Sequence, residues 1–461
     1  VPAVTTYPDQ TRFALRDGVT CVTVPTGAVL LNPPNNQKLT DLGADQVRAL
    51  KTLNQGPSTL GELAGTDGGD GVGELVERLT DGGWLSVTVR DGGRDLYTIR
   101  PFANPPARPK TPLPWSATLS KFAVLHRDSE GFVLEHPLAW CDLRIHDPRL
   151  LGLLDGPGAA DSTLPVGIKS QLADDLHWCG FLVADPDAEE REFTTRSWSA
   201  PDLWFHRRST LGPRTITWEH FGPTKWGKPS FPQPPARKPN YPGAAITLAE
   251  PDLDKLRIAD PSLTDVLEDR VSCRDFDDAA PMNVDQLGEL LYRTARTRSV
   301  RQVADGEELT SRPYPSGGSV YELELYPIVR NVAGLEPGMY HYDSFDHVLR
   351  PVAPADSPAV QKLIRSTSAT LVDGGEPQLV LLMAARSGRV MWTYEQVAYA
   401  SILKHVGVLM QTVYLAATAM GLGACAQGFS DTAAFVSAAG VNELEECNVG
   451  SIIVGSPARA R

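Results

Sequence analysis

What this chain lacks narrows it first. Its six cysteines, Cys21, Cys141, Cys179, Cys273, Cys425 and Cys447, form no C-x-x-C pair and no other metal-ligand spacing. No metal site is expected, and scattered thiols of this kind suit a reducing cytoplasm. Basic excess is missing too: 56 acidic residues against 43 basic ones leave a net charge of −13. A general nucleic-acid binder needs cationic surface for phosphates, so nucleic acid is not an expected partner. No secretory signal stands at the N-terminus. The most apolar stretch, Val406–Cys425, carries Gln411 and glycines and directly follows Lys404 and His405. It reads as a buried core helix, and no membrane partner is expected.

At 461 residues and 42% hydrophobic, the chain is long enough for two or three domains with ordinary cores. Two segments, Pro101–Trp115 (PFANPPARPKTPLPW) and Gly222–Gly243 (GPTKWGKPSFPQPPARKPNYPG), are too proline-rich for helix or central strand. They read as linkers and divide the chain into 1–100, 116–221 and 244–461.

The first two parts look like a degenerate repeat. In the first, strands are expected over 13–24 and 28–31, and helices over 44–53, 60–64 and 72–80. A hairpin over 84–89 and 96–99 comes next, turned by Asp91-Gly-Gly93. Leu75, Leu79, Gly83, Trp84 and Leu85 recur at identical offsets as Leu172, Leu176, Gly180, Phe181 and Leu182. Leucines four apart share a helix face, the glycine ends the helix and the aromatic opens a strand. Each part resembles a winged helix-turn-helix, with Trp84 and Trp178 in the core. Most winged helices bind DNA. Here the last helix, GVGELVERLTDGG, has one arginine and three acids, and GIKSQLADDLHWCG is similar. A peptide is the better-matched partner.

The third part holds four motifs. Arg270-Val-Ser-Cys-Arg274 places two guanidiniums and a hydroxyl within five residues, a set that suits a phosphate and a polar heterocycle. Pro315-Ser-Gly-Gly318 is a turn at the mouth of a strand-like segment, where adjacent glycines admit a flat or anionic ligand. Gly421-Leu-Gly-Ala-Cys-Ala-Gln-Gly428 follows an apolar helix over 394–420 and suggests backbone N–H groups against a ligand. VGSPARAR ends the chain, with Arg459 and Arg461 available to close over an anion.

In order and spacing these motifs resemble the nitroreductase-like FMN fold over roughly 253–461. The resemblance is closest to SagB-type dehydrogenases, which oxidise azolines to azoles in ribosomal peptide natural products. It implies an α+β protein: a C-terminal nitroreductase-like FMN domain preceded by two winged helix-turn-helix modules. It places Arg270 and Ser272 at the FMN phosphate, and Arg459 with them. Arg274 meets the N1/O2 edge, where a cation stabilises charge on the reduced ring. Gln427 and Gly428 face N5 and O4, and Gln411 joins the cofactor set. Pro315, Ser316, Gly317 and Gly318 approach the flavin from a second subunit, so an intimate homodimer is implied. In this class the N-terminal modules look like PqqD-like clamps, in which a leader peptide adds a strand beside a helix. The implied partners are a precursor peptide, with leader and azoline core, and a cyclodehydratase.

The chain departs from that family at its acid–base residues. SagB-type enzymes usually carry Lys-Tyr where this chain has Thr393-Tyr394. A usual Gly-His-x-x-Gln-Asn reads Gly407-Val408-Leu-Met-Gln411-Thr412. Tyr394 is the catalytic candidate for withdrawing the azoline Cα proton, with Arg274 as the cationic partner. A phenol is a weak base near neutral pH, and Thr393 cannot assist it as lysine does. On a helix beginning at 394, His405 and Lys404 point away from Tyr394 and read as polar-face residues. Two other functions stay open: an NAD(P)H-dependent flavin reductase of nitroreductase type, and a non-catalytic FMN-binding scaffold in a synthetase complex.

Overall fold

The computed structural model describes residues 7–458, apart from 26, 34, 67, 155–162 and 304–305. The chain forms two compact units, Val1–Thr217 and Trp218–Arg461.

The first unit is built on a seven-stranded antiparallel sheet. Its order is Ser58–Thr59, Arg12–Leu15, Leu85–Asp91, Arg94–Pro101, Cys141–Ile145, Gly131–Glu135 and Val124–Asp128. Strands from 1–100 and from 116–221 therefore share one sheet, and Leu50, Leu79, Val87, Leu143 and Leu172 share one core. Trp84 and Trp178 are buried in it. The strand expected over 13–24 is two, Arg12–Leu15 and Thr20–Val24, because the chain turns at Gly18 with φ 80°. Thr20–Val24 pairs instead into a separate three-stranded sheet with Gly27–Asn32 and Asn35–Thr40.

The repeated sequence has a clear structural cause. Helices Val72–Asp81 and Val166–Trp178 end in the same bonds: Trp84 N donates to Leu79 O, and Phe181 N to Leu176 O, both at 2.9 Å. Gly83 and Gly180 take φ 70° and 81° between them. This is a Schellman stop, which fixes the Leu-Gly-aromatic spacing. Beyond the stop the two copies diverge. Leu85–Asp91 is a seven-residue strand with a hairpin partner, whereas Leu182–Val183 pairs only with Thr118–Leu119. The repeat marks a helix ending, and among the described residues the second copy has no comparable wing.

The second unit has a seven-stranded antiparallel sheet. It is ordered Ile246–Thr247, Val348–Pro354, Gly338–Asp343, Leu323–Val329, Leu379–Ala385, Cys447–Gly455 and Gly423–Gln427. Strands Leu323–Val329 and Leu379–Ala385 are buried at every position, because helices cover both faces. Side chains alternate between the two layers, as the pleat requires. Leu379, Leu381 and Met383 pack with helices Val284–Ala295 and Ala398–Ala419, while Val380 and Leu382 pack with Pro358–Ser368 and Thr432–Ala439.

The second proline-rich segment is no free linker. It runs as a strap over residues 386–394 of the same unit. Arg386 donates to Pro235 O at 2.7 Å and Ala236 O at 3.0 Å, Trp392 Nε1 to Phe231 O at 2.8 Å, and Thr224 N to Thr393 O at 3.0 Å. Prolines lack N–H groups but keep their carbonyls, and Arg386 holds that of Pro235 while Trp392 holds that of Phe231. Arg389 is fully buried and donates to Pro234 O as well as to Val320 O at 2.7 Å and Glu308 O at 3.2 Å. Burial pulls its guanidinium down to about 10.

Candidate functional site

The first group of site residues forms around Arg270–Arg274. This segment leaves helix Leu263–Asp269 and runs parallel to strand Gly423–Gln427. Ser272 bridges to Ala424, and Cys273 N donates to Ala424 O at 2.8 Å. The approach is close: a Cβ on Gly423 would stand 2.6 Å from Cys273 Sγ. Cys273 is turned inward, and alternation along an extended segment sends Arg270, Ser272 and Arg274 to the other side. Ser272 Oγ lies 3.0 Å from the Tyr414 hydroxyl, which accepts Ala426 N at 2.7 Å. The Arg270 guanidinium stacks over the Tyr414 ring at 5.2 Å, and Arg274 lies against the buried Cys425 thiol. Among the described residues neither arginine is ion-paired with a carboxylate. Gln427 is buried nearby on the strand; its amide nitrogen donates to Thr370 Oγ1 at 2.6 Å and, among the described residues, its Oε1 has no partner.

The glycines of 421–428 have separate duties, and two are structural where a ligand contact was expected. Gly421, at φ 70°, stops helix Ala398–Ala419, with Leu422 N donating to Ala417 O at 2.8 Å. Gly423 admits Cys273. Gly428 is exposed, with open space where a Cβ would be. Gln411 is exposed on the helix, three residues before Tyr414. Arg459 and Arg461 lie outside the described residues.

The second group forms around the Pro315–Gly318 turn. Three of the residues 318–321 are left-handed: Gly318 at φ 63°, Ser319 at 55° and Tyr321 at 45°. For serine and tyrosine this conformation costs energy, and it persists only where the surroundings enforce it. The enforcing contacts are here. Gly317 N donates to His405 Nε2 at 2.8 Å, His405 Nδ1 bonds Glu322 Oε1 at 2.7 Å, and Tyr321 N donates to Ser316 Oγ at 3.2 Å. A backbone N–H cannot accept, so Nε2 carries the lone pair and Nδ1 the proton, given to the buried Glu322 carboxylate. The imidazole is thereby fixed as one neutral tautomer with both nitrogens occupied.

Tyr394 joins this group. Its hydroxyl would lie 2.8 Å from a Cβ on Gly318, so only glycine fits beneath it. The ring packs on Trp218 at 6.2 Å, and the backbone bridges to Pro223 of the strap. Thr393 Oγ1 is spent on Arg389 O at 3.3 Å inside its own helix and does not serve Tyr394.

The helix expected over 394–420 begins only at Ala398, which overturns the reading of His405. Helix Ser387–Thr393 ends at Tyr394, and the long helix begins only at Ala398. Tyr394 is not on the helix that carries His405, so helical offsets do not separate them. His405 is buried against the turn beneath Tyr394, while Lys404 is exposed. Sequence reasoning missed His405, Glu322 and Tyr414. His405 and Glu322 meet across 83 positions, and no local pattern marks such a pair.

Residues 267–456 match the nitroreductase family, and residues 117–215 match the cyanobactin oxidase ThcOx family. A nitroreductase-designated protein of Methanocaldococcus jannaschii is 29% identical over 40% of this chain and 85% of its own length. The microcin B17-processing protein McbC of Escherichia coli is 30% identical over 24% of this chain and 42% of its own length. The trifolitoxin-processing protein TfxB of Rhizobium leguminosarum bv. trifolii is 31% identical over 29% of this chain and 36% of its own length. The matches thus span less than half of either processing protein. The chain is thus similar to the nitroreductase family over 267–456 and to the cyanobactin oxidase ThcOx family over 117–215.

Proposed function

We propose that the protein oxidises thiazoline or oxazoline rings of a ribosomally made peptide to thiazoles or oxazoles, with FMN as cofactor. The observation that carries this reading is the pairing, on one chain, of a nitroreductase-family segment with a cyanobactin-oxidase segment. The local similarity to two peptide-processing proteins points the same way. Its six free thiols suit the cytosol.

The residues fit FMN. Arg270 and Ser272 offer a guanidinium and a hydroxyl to a phosphate, and Arg274 offers a second cation; among the described residues neither arginine is ion-paired with a carboxylate. The unpartnered Gln427 Oε1 awaits a donor such as a heterocyclic N–H. Bound FMN would supply the two-electron acceptor for the hydride leaving the azoline. The protein's own task is to orient the ring, hold the Cα proton's acceptor in place and keep a cation near developing charge. Tyr394 is that acceptor or orients the water that is. His405, with both nitrogens engaged, holds the turn under Tyr394.

The two groups of residues favour a homodimer. His405 and Tyr414 are nine residues apart on helix Ala398–Ala419, about 13.5 Å along the axis and on opposite sides. They border an exposed stripe that includes Leu403 and Val408. A second copy packed on that stripe brings the Arg270 group of one subunit to the Tyr394 group of the other. The winged-helix-like elements of the first unit serve the peptide, and a cyclodehydratase that makes the azoline is the natural partner.

Anaerobic spectra test the reading. The purified protein is expected to be yellow and to bleach on mixing with an azoline peptide. Bleaching by NAD(P)H but not by the peptide would identify a small-molecule flavin reductase. Arg270→Ala should weaken flavin retention, since a lost charge-assisted bond is worth about 1.5–3 kcal/mol. The flavin-to-protein absorbance ratio after gel filtration measures this, and an undiminished ratio removes Arg270 from the phosphate.

A further inference from the structure

The strap is entered through one helical turn, Trp218–Phe221. Gly222 N closes that turn on Trp218 O at 2.8 Å, and Gly222 O accepts Glu395 N at 2.8 Å, so the turn is tied to the residue after Tyr394. The Trp218 indole is fixed at this junction. A Cβ on Gly222 would stand 2.4, 2.5 and 2.6 Å from its Cζ2, Cε2 and Cη2. These are three consecutive ring atoms. Near-equal distances to them put that Cβ over the ring's face; beyond the ring's edge, the middle atom alone would be near. One face of the indole therefore rests on bare backbone, and only glycine fits beneath it. The Phe221 and Tyr394 rings lie beside it, each with its centroid 6.2 Å away and with planes tilted by 57° and 60°. Neither is stacked flat upon it.

The other face is open. Phe221 is buried, whereas Trp218 stays 48% exposed. An indole face left in water costs hydrophobic free energy, which a second flat ring laid on it recovers. This indole is held from behind and stands beside the tyrosine that is the catalytic candidate. No rearrangement is needed for a ring to stack there.

We infer that the open face of Trp218 stacks an azole of the substrate peptide, one already oxidised, while a second ring two residues away stands at Tyr394. Trp218 is then a specificity-determining residue that favours azolines with an azole neighbour. The inference rests on the azoline reading above. The product ring of that reaction is flat and aromatic, whereas an azoline has two saturated ring carbons and stacks less well. Alternate residues of an extended chain lie about 6.6 Å apart, close to the 6.2 Å between the Trp218 and Tyr394 rings. One ring at each is joined by a single intervening residue. On a peptide with several azolines, each oxidation improves the fit of the next ring.

Fluorescence anisotropy with the full chain tests this without turnover. One fluorescein-labelled probe peptide carries two thiazoles separated by one residue. Its two counterparts each keep one thiazole and have alanine for the other. The two-thiazole probe should bind about 5-fold tighter than either counterpart, within the range of an aromatic pair. Trp218→Leu should bring that ratio below about 2, and Trp218→Phe should retain part of it. Gly222→Ala, whose added methyl displaces the indole, should lower the ratio with Trp218 still present. Trp218 also supports Tyr394, but a general disturbance weakens all three probes alike and leaves the ratio unmoved. Melting temperatures report folding, and if Trp218→Leu does not fold, Gly222→Ala decides. Equal binding of the probes by the native chain, or a ratio unchanged in the folded variants, overturns the proposal. A chain that bleaches with azoline peptide but shows no two-thiazole preference loses the platform alone. One that shows the preference but never bleaches keeps the platform and loses the azoline reading.

Discussion

Tyr394→Phe should slow flavin bleaching by an azoline peptide by roughly 10²–10⁴-fold, the range for losing a general base. Flavin content and subunit association should stay as they are. The substitution removes one oxygen and leaves the rest of the residue placed, because Trp218 holds the ring and the bridge to Pro223 holds the backbone. The hydroxyl covers Gly318 in the turn that His405 and Glu322 brace. His405→Gln separates positioning from proton transfer. Its amide oxygen still accepts from Gly317 N, so this variant should keep much more activity than Tyr394→Phe and leave the pH profile unmoved. Thr393→Lys should not inactivate the enzyme. Stopped-flow bleaching of Tyr394→Phe at the wild-type rate would move the base elsewhere.

Arg389→Ala should cost the second unit about 3 kcal/mol or more. Three backbone carbonyls lose their donor, that of Val320 in a buried place and those of Pro234 and Glu308 in part-buried ones. Each orphaned group costs about 1–3 kcal/mol. For a unit of this size the melting temperature should fall by about 6–12 °C, at about 2–4 °C per kcal/mol. Arg389→Lys should recover only part, since one ammonium cannot reproduce a planar fork aimed at three segments. Calorimetry reads the effect. A shift under about 1 °C would mean that water already satisfies the strap.

Local features of this chain were legible and distant pairings were not. The helix over 72–80 and its glycine stop were readable because Leu75, Leu79, Gly83 and Trp84 lie within one short window whose spacing backbone bonds dictate. Arg270, Ser272 and Arg274 stood out as one polar set within five residues, while Gln427 entered only through the family resemblance; the structure sets Ser272 and Gln427 along one strand. The strap was misread because proline content reports the missing N–H and says nothing of carbonyls, which arginines elsewhere can seek out. The boundary near Tyr394 was lost because apolar periodicity runs through 398–417 without showing that the chain breaks just before it. No local pattern marks Glu322. Its role depends on a histidine brought in by the tertiary fold.

The placement of the two residue groups on opposite flanks of one helix has a genetic signature. Take one gene copy encoding Arg270→Ala, expected to hold flavin weakly, and another encoding Tyr394→Phe, expected to react slowly. In the homodimer we propose, their co-expressed products assemble partly into mixed pairs. In a mixed pair one site combines the sound Arg270 of the second product with the sound Tyr394 of the first, and the other site collects both lesions. Complementation between the two alleles then restores activity above that of either alone. Two lesions in a site closed within a single chain could never complement.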